Sequence, residues 1–262
     1  MRIALVVEYD GSQYHGWQAQ TGLHTVQQRL EQALSKVADI PVTVACAGRT
    51  DTGVHATNQV VHFDCDKERS MRSWIYGTNS FLPKDICVKW GKEMPDSFHA
   101  RYSAVSRRYR YVIYNASIRP ALLRSNVTWQ YRQLDHRAMH QAAQLLLGEH
   151  DFTSFRSVEC QSKTPMRSIL KVEVSRQSDL VILDITANAF LHHMVRNIAG
   201  VLIAVGSGKQ PVDWVEQVLK AKDRKLGAET APAYGLYLVQ VAYPKEFGLL
   251  QHAVGPLFLG EK

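Results

Sequence analysis

Cysteine is scarce and scattered. The four thiols, Cys46, Cys65, Cys87 and Cys160, stand far apart in 262 residues with no Cys-x-x-Cys pair. That spacing argues against a zinc ribbon, a redox motif or a dense disulfide scaffold. Long apolar runs are missing too. The opening Met1-Arg2-Ile3-Ala4-Leu5-Val6-Val7 meets Glu8 and Asp10 before it reaches the length of a signal segment or a membrane span, so the sequence reads as cytoplasmic. No low-complexity linker and no short repeat occurs. Acid is in deficit: 24 Asp+Glu stand against 31 Lys+Arg, a net charge of +7. That balance suits a polyanionic partner without identifying one.

Metal-binding patterns are equally thin. His136 and His140 are four apart on a helix face, but Arg137 stands where a zincin carries its glutamate. His192 and His193 are adjacent and would diverge on a helix. Gly206-Ser207-Gly208-Lys209 is like the end of a phosphate loop, but it follows a helix and lacks the remaining spacing.

What the chain does have is ordinary globular composition, 45% hydrophobic and 21% charged, at a length that suits two modest domains. Residues 3–9 read as a buried strand ending in Asp10-Gly11-Ser12. Thr25 reads as an N-cap, with Gln28 placed for a capping box, before a helix whose Val26, Leu30, Leu34 and Val37 share a face. Residues 58–64 read as an alternating strand with Val61 and Phe63 inward. A helix over 71–79 and a strand over 86–90 follow. A similar plan recurs after 105: a strand over 107–114, then a helix capped by Asp135 with Met139, Ala142, Leu145 and Leu146 on one face. Strands over 169–175 and 180–186 come next. A helix carries Leu191, Val195, Ile198, Leu202 and Val205, another opens at Pro211, and a strand over 236–242 closes the pattern. The expectation is an α+β protein with a central antiparallel sheet. It has two related halves, 1–104 and 105–262. The tail from Pro244 carries no pattern.

Three clusters could carry chemistry. In "AGRTDTGVHA" (47–56), Gly48 and Gly53 bracket Asp51 and permit a tight loop that presents its carboxylate at a strand end. Arg49, two positions away, would favour the ionised carboxylate. An ordinary solvated Asp turn explains the same residues as well. The second cluster is basic and aromatic: Phe98-His99-Ala100-Arg101-Tyr102, then Ser106-Arg107-Arg108-Tyr109-Arg110-Tyr111. Period two puts Arg108 and Arg110 on one strand face, with Tyr109 and Tyr111 on the other. Such a strand could grip phosphate and stack a base, or simply pack its tyrosines and solvate its arginines. In the third, Arg196 lies off the centre of an apolar helix stripe and must meet an anion or water.

Taken together, "GRTDTGVHA", "FHARYSAVSRRYRY", "DFTSFR", "HHMVRNIAG" and "APAYGLYL" resemble the tRNA pseudouridine synthases of the TruA type, in order, from about Ile3 to Pro244. The resemblance implies two α+β halves with the catalytic cleft between them, the catalytic loop in 1–104 and RNA-contacting and dimer surfaces in 105–262, a homodimer, and tRNA as partner. It also implies no cofactor, no metal and no membrane. The implied reaction isomerises uridine in the anticodon stem-loop, at the expected positions 38, 39 and 40, by base flipping and attack by an aspartate. On matching positions, Asp51 is the nucleophile or base. Arg49 enters the stem and supports the flipped state, and Tyr109 stacks on the uracil and assists proton transfer at C5. Arg196 faces the aspartate. Phe98, His99, Ala100, Arg101 and Tyr102, and the strip Glu159, Cys160, Gln161, Ser162 and Lys163, fall where the family contacts tRNA. Arg69, Arg107 and Arg108 are candidate phosphate contacts. Leu236 is a candidate for the uracil pocket, with a core role open beside it. The rival chemistry is a metal-dependent nuclease that uses Asp51, Asp64 and Asp66 as ligands.

Overall fold

Apolar alternation at the start of the chain makes strand β1 (Arg2–Tyr9), and the 3.6-residue stripe after it makes helix α1 (Val26–Ala38). The other elements, in order, are β2 (Ala45–Cys46), β3 (His55–Asp64), α2 (Thr78–Phe81), β4 (Ile86–Met94), β5 (Ser106–Tyr114), β6 (Thr128–Trp129), α3 (His136–Gln144), β7 (Gly148–Asp151), β8 (Met166–Gln177), β9 (Leu180–Ala187), α4 (Met194–Gly206), α5 (Trp214–Ala221) and β10 (Leu236–Ala242). The computed structural model describes residues 1–249 and 255–260. Residues 250–254 and 261–262 of the unpatterned tail lie outside them.

The chain forms two compact units. One comprises Met1–Arg107 and the described residues from Tyr237 onward; the other is Arg108–Leu236. The sequence pattern put everything after 105 into one half. The return of Tyr237 to the first unit has a simple cause: Tyr237 and Leu238 pair in parallel with His55 and Ala56 of β3. In the first unit the strand order is β4-β1-β3-β10, with β2 also on β3. β1 pairs antiparallel with both β3 and β4, and β1 is bulged toward each partner. In the second unit the order is β5-β9-β8-β7, with β6 parallel to β5. The antiparallel expectation therefore holds for β4-β1-β3 and β9-β8-β7, while β10 and β6 add parallel pairs.

Several local expectations change. Strand β3 does not alternate: every residue from Asn58 to Phe63 is buried, because β3 sits between neighbours on both edges and is covered on both faces. Thr25 holds the N-cap position of α1, but its side chain makes no cap bond and its hydroxyl is buried without a partner among the described residues. Asp135 does cap α3, accepting from Arg137 N and Ala138 N. Leu145 of the expected α3 stripe is exposed, just past the helix end. The helix expected over 71–79 runs to Phe81 and includes a π-turn at Ser73–Gly77. Gly206-Ser207-Gly208-Lys209 ends α4. Gly208 takes φ +72°, and Gly208 N and Lys209 N bond Val205 O and Ala204 O, a left-handed helix stop and no phosphate loop.

Candidate active site

The loop bearing Asp51 is held from both ends and from beneath. Strands β2 and β3 bring its ends together, Ala45 opposite His62 and Cys46 opposite Val61, and Ala47 N donates to Val60 O at 2.8 Å. Gln59, fully buried on β3, clamps Gly48: its Oε1 accepts from Gly48 N and its Nε2 donates to Gly48 O. Next along, Thr50 is buried, with its hydroxyl 2.8 Å from Tyr9 Oη and its carbonyl accepting from Trp17 N at 3.0 Å. Beyond Asp51, Val54 N returns to Asp51 O at 3.1 Å, and Gly53 N donates to Tyr14 O. Asp51 itself is half-buried and its neighbour Arg49 is exposed.

Glycines outside the loop matter as much as those within it. Gly16, at φ +83°, approaches so closely that a Cβ there would lie 2.7 Å from Thr50 O and 3.1 Å from Asp51 C. Gly11 N donates to Nδ1 of buried His55, and that nitrogen also lies 3.1 Å from Asp10 Oδ1. The His55 ring stacks on Tyr237 at 4.7 Å between centroids. Burial acts to raise the Asp10 pKa, but the adjacent His55 ring and the bonds from the backbone and hydroxyl of Ser12 outweigh it and hold the carboxyl well below its usual range.

The 98–103 segment divides into anchors and presented groups. Phe98 and Ala100 are fully buried, Phe98 packing on His62, Tyr243 and Phe247. Arg101 and Tyr102 are exposed, with the guanidinium over the Tyr102 ring and the His99 ring 4.3 Å from it between centroids. His99 Nδ1 accepts from Arg101 N and Tyr102 N, and His62 Nδ1 accepts from Ala100 N at 3.1 Å. Both histidines thus serve as neutral acceptors. Burial, with His99 and Arg2 nearby, pushes His62 down to about 4 despite the opposing pull of Asp64. Between that value and the unfolded value of about 6.5, the unfolded chain binds the proton and the folded one does not. Stability contributed by His62 is therefore complete above about 6.5 and drains away as pH falls toward 4. Urea unfolding at several pH values should show a steeper loss across this window for wild type than for His62→Gln; identical slopes would refute it.

In the second unit, Tyr109 is buried, its ring edge-on to Phe190 at 5.0 Å. Tyr111 is fully buried, its hydroxyl bonded to Thr128 and Pro232 O. Arg108 and Arg110 do not stand as a free basic face: both pair with Asp184 of β9, at 2.6 and 2.9 Å. On α4, Arg196 Nε donates to Ala231 O at 2.8 Å, and Ala231 N donates back to Arg196 O. The helix lies against that segment so tightly that a Cβ on Gly200 would come 2.1 Å from Glu229 O. Leu236 is buried at the start of β10. In the strip after Ser157, Glu159, Gln161 and Lys163 are exposed and Cys160 and Ser162 half-buried. Arg167 braces it through Ser162 Oγ and Thr164 O. In the first unit Arg69 is exposed and donates to Val37 O, whereas Arg107 points its guanidinium at backbone carbonyls.

The ligand set expected for a nuclease is not brought together. Asp51 precedes β3 and Asp64 ends it, so the whole ten-residue strand separates them, about 30 Å at strand rise. Asp64 is held by Arg2 through both carboxylate oxygens. His140 of the weak zincin pattern accepts from Val174 N. Sequence reasoning missed Gln59, Tyr9 and His62, and it missed the inward turn of Arg107. All are polar groups inside strands that otherwise read as apolar or as solvent-facing.

A family model described as tRNA pseudouridine synthase matches residues 5–103 and 142–244. The chain belongs to the tRNA pseudouridine synthase family. The tRNA pseudouridine synthase A of Legionella pneumophila (strain Lens) is 81% identical over 262 residues, covering both chains completely. That of Photobacterium profundum is 57% identical over 259 residues, 99% of each chain, and that of Shewanella frigidimarina (strain NCIMB 400) 56% over 259 residues, again 99% of each. The protein is a pseudouridine synthase, an isomerase acting on tRNA, and its α+β architecture is the pseudouridine synthase fold. No helix of the described residues is long and apolar enough to cross a membrane.

Proposed function

We propose that this synthase isomerises uridine in the anticodon stem-loop of tRNA, at the three positions given above, by flipping the base and using Asp51 as its reacting carboxylate. The reaction breaks C1′–N1, turns the uracil and joins C1′ to C5. The C5 proton leaves to water and N1 gains one, so no electron is gained or lost overall. Attack at C1′, attack at C6 and removal of a sugar proton all require an ionised carboxylate fixed beside the nucleotide. The observation that carries the reading is the bracing of the loop around Asp51: Thr50 is bonded on side chain and backbone, and Asp51 O is bonded by Val54 N. A group held this way needs little rearrangement at the moment of reaction.

The remaining roles follow the family resemblance. Arg49 supports the flipped state, Tyr109 stacks on uracil and Leu236 borders it. Arg101 and Tyr102, with His99 beneath, meet the RNA, while Phe98 and Ala100 hold that segment in place. Arg69 and the 159–163 strip extend the contact. The enzyme works in the cytoplasm as a homodimer, without cofactor or metal.

The test uses wild-type protein, an unmodified tRNA transcript, chelator in the buffer and no added cofactor, with pseudouridine quantified at each position. Pseudouridine confined to the anticodon stem-loop of an intact RNA of unchanged mass is the expected result. Pseudouridine elsewhere, or activity lost in chelator, overturns the reading. A second expectation concerns Arg196. Its replacement by alanine should cut turnover by about a hundredfold while tRNA affinity changes less than about threefold. Equal losses in both would remove Arg196 from the chemistry.

A further inference from the structure

Arg107 is the second residue of β5, half-buried, and its guanidinium is turned onto backbone carbonyls. Nη2 donates to Arg101 O at 2.7 Å and to Ala47 O at 3.0 Å, and Nη1 donates to Ala104 O at 3.2 Å. Ala47 is the foot of the loop that carries Asp51. Arg101 lies in the turn whose exposed side chains are read above as meeting tRNA. Both segments are fixed from other directions as well: Gly48 by Gln59, Ala100 N by His62, Ala100 O by the Tyr243 hydroxyl at 2.6 Å, and Arg101 N and Tyr102 N by His99.

We propose that Arg107 is a positioning residue that ties the 98–103 turn to the foot of the catalytic loop, so that the seat of the RNA and the seat of Asp51 are fixed by one side chain. This rests on the functional reading above. The chemistry favours arginine: a planar guanidinium presents several donors in a fixed fork and can bridge carbonyls from separate segments, while a lysine ammonium is a flexible point donor. Losing the fork leaves carbonyls at both segments short of a donor. The competing role, a phosphate contact, makes a different demand, because a cation that neutralises a phosphate adds about one to the salt slope of binding. A guanidinium whose donors are spent on backbone carbonyls adds none.

The experiment compares wild type, Arg107→Ala and Arg107→Lys as full-length proteins. It measures single-turnover pseudouridine formation at saturating tRNA, tRNA affinity across a salt series, and hydrogen exchange of the free proteins. Both variants should lose about tenfold or more in single-turnover rate, as a small misplacement of a reacting group does. Affinity should stay within about threefold, the salt slope should be unchanged, and amides of both 48–53 and 99–104 should exchange faster. If Arg107→Lys restores the rate, or if the slope drops by about one, Arg107 is a phosphate ligand and the proposal falls. It also falls if only one of the two segments loses protection. Should Arg107→Ala fail to fold, Arg107→Lys decides on the same readouts. A wild type that makes no pseudouridine from tRNA would sink the functional reading alone. The exchange arm would still judge the tie, which fails if 48–53 keeps its wild-type protection.

Discussion

Asp51→Asn should abolish pseudouridine formation, by about 10⁴-fold or more as for other essential catalytic groups, while tRNA affinity stays within about tenfold of wild type. The substitution is nearly isosteric, and the loop does not depend on the carboxylate for its shape. Its backbone is fixed by Trp17 N on Thr50 O and by Val54 N on Asp51 O, and its floor by Gln59 on Gly48. What disappears is the ionised oxygen, and a neutral amide can neither attack the sugar or base nor take a sugar proton. Single-turnover assays with filter binding on one tRNA transcript measure both quantities. Normal turnover in the variant would end the assignment of Asp51. A parallel collapse of binding would mean that the carboxylate shapes the RNA seat and is not specific to the reaction.

Much of this was legible from the chain because the strongest signals are local. Val26, Leu30 and Leu34 of the helical stripe are buried as the spacing requires, with Val37 half-buried at its end, and Asp135 caps the helix that begins at His136. The two glycines around Asp51 did mark a tight loop, with Gly53 at φ +79°. What escaped was polar burial. Asn58, Gln59 and His62 interrupt an apolar strand and suggest a wet face, but all three are buried and Gln59 and His62 spend their polar atoms on backbone partners. The arginines of β5 misled in the opposite sense. A run of Arg108 and Arg110 looks like a phosphate grip until Asp184 arrives from a strand more than seventy residues away. Pairings of that range leave no trace in a window of ten residues. The parallel return of Tyr237 onto His55 is the same kind of event at the level of the fold.

Gly11→Ala and Gly16→Ala carry the other large expected effect, and together they separate folding from placement. At Gly11 a Cβ would come within contact-forbidden range of the Val54 carbonyl, 1.9 Å, and the obstacle is backbone, so nothing can rotate away. The strand start at Val54 and His55 must shift or Gly11 must withdraw its donation to His55. The cost is about 3 kcal/mol or more, at the upper end for overpacking. At Gly16 the conflict is milder in distance, 2.7 Å to Thr50 O, but φ is +83° and the atoms met are the peptide on which Asp51 hangs. Alanine there should displace the Asp51 loop by a fraction of an ångström and lower single-turnover rate about a hundredfold, with a smaller drop in unfolding midpoint than Gly11→Ala. Thermal unfolding and single-turnover rates on the two proteins test the distinction. If Gly16→Ala keeps wild-type rate, the close approach of residue 16 does not position Asp51. If Gly11→Ala keeps wild-type stability, the contact between the 10–12 turn and Val54 does not constrain the fold.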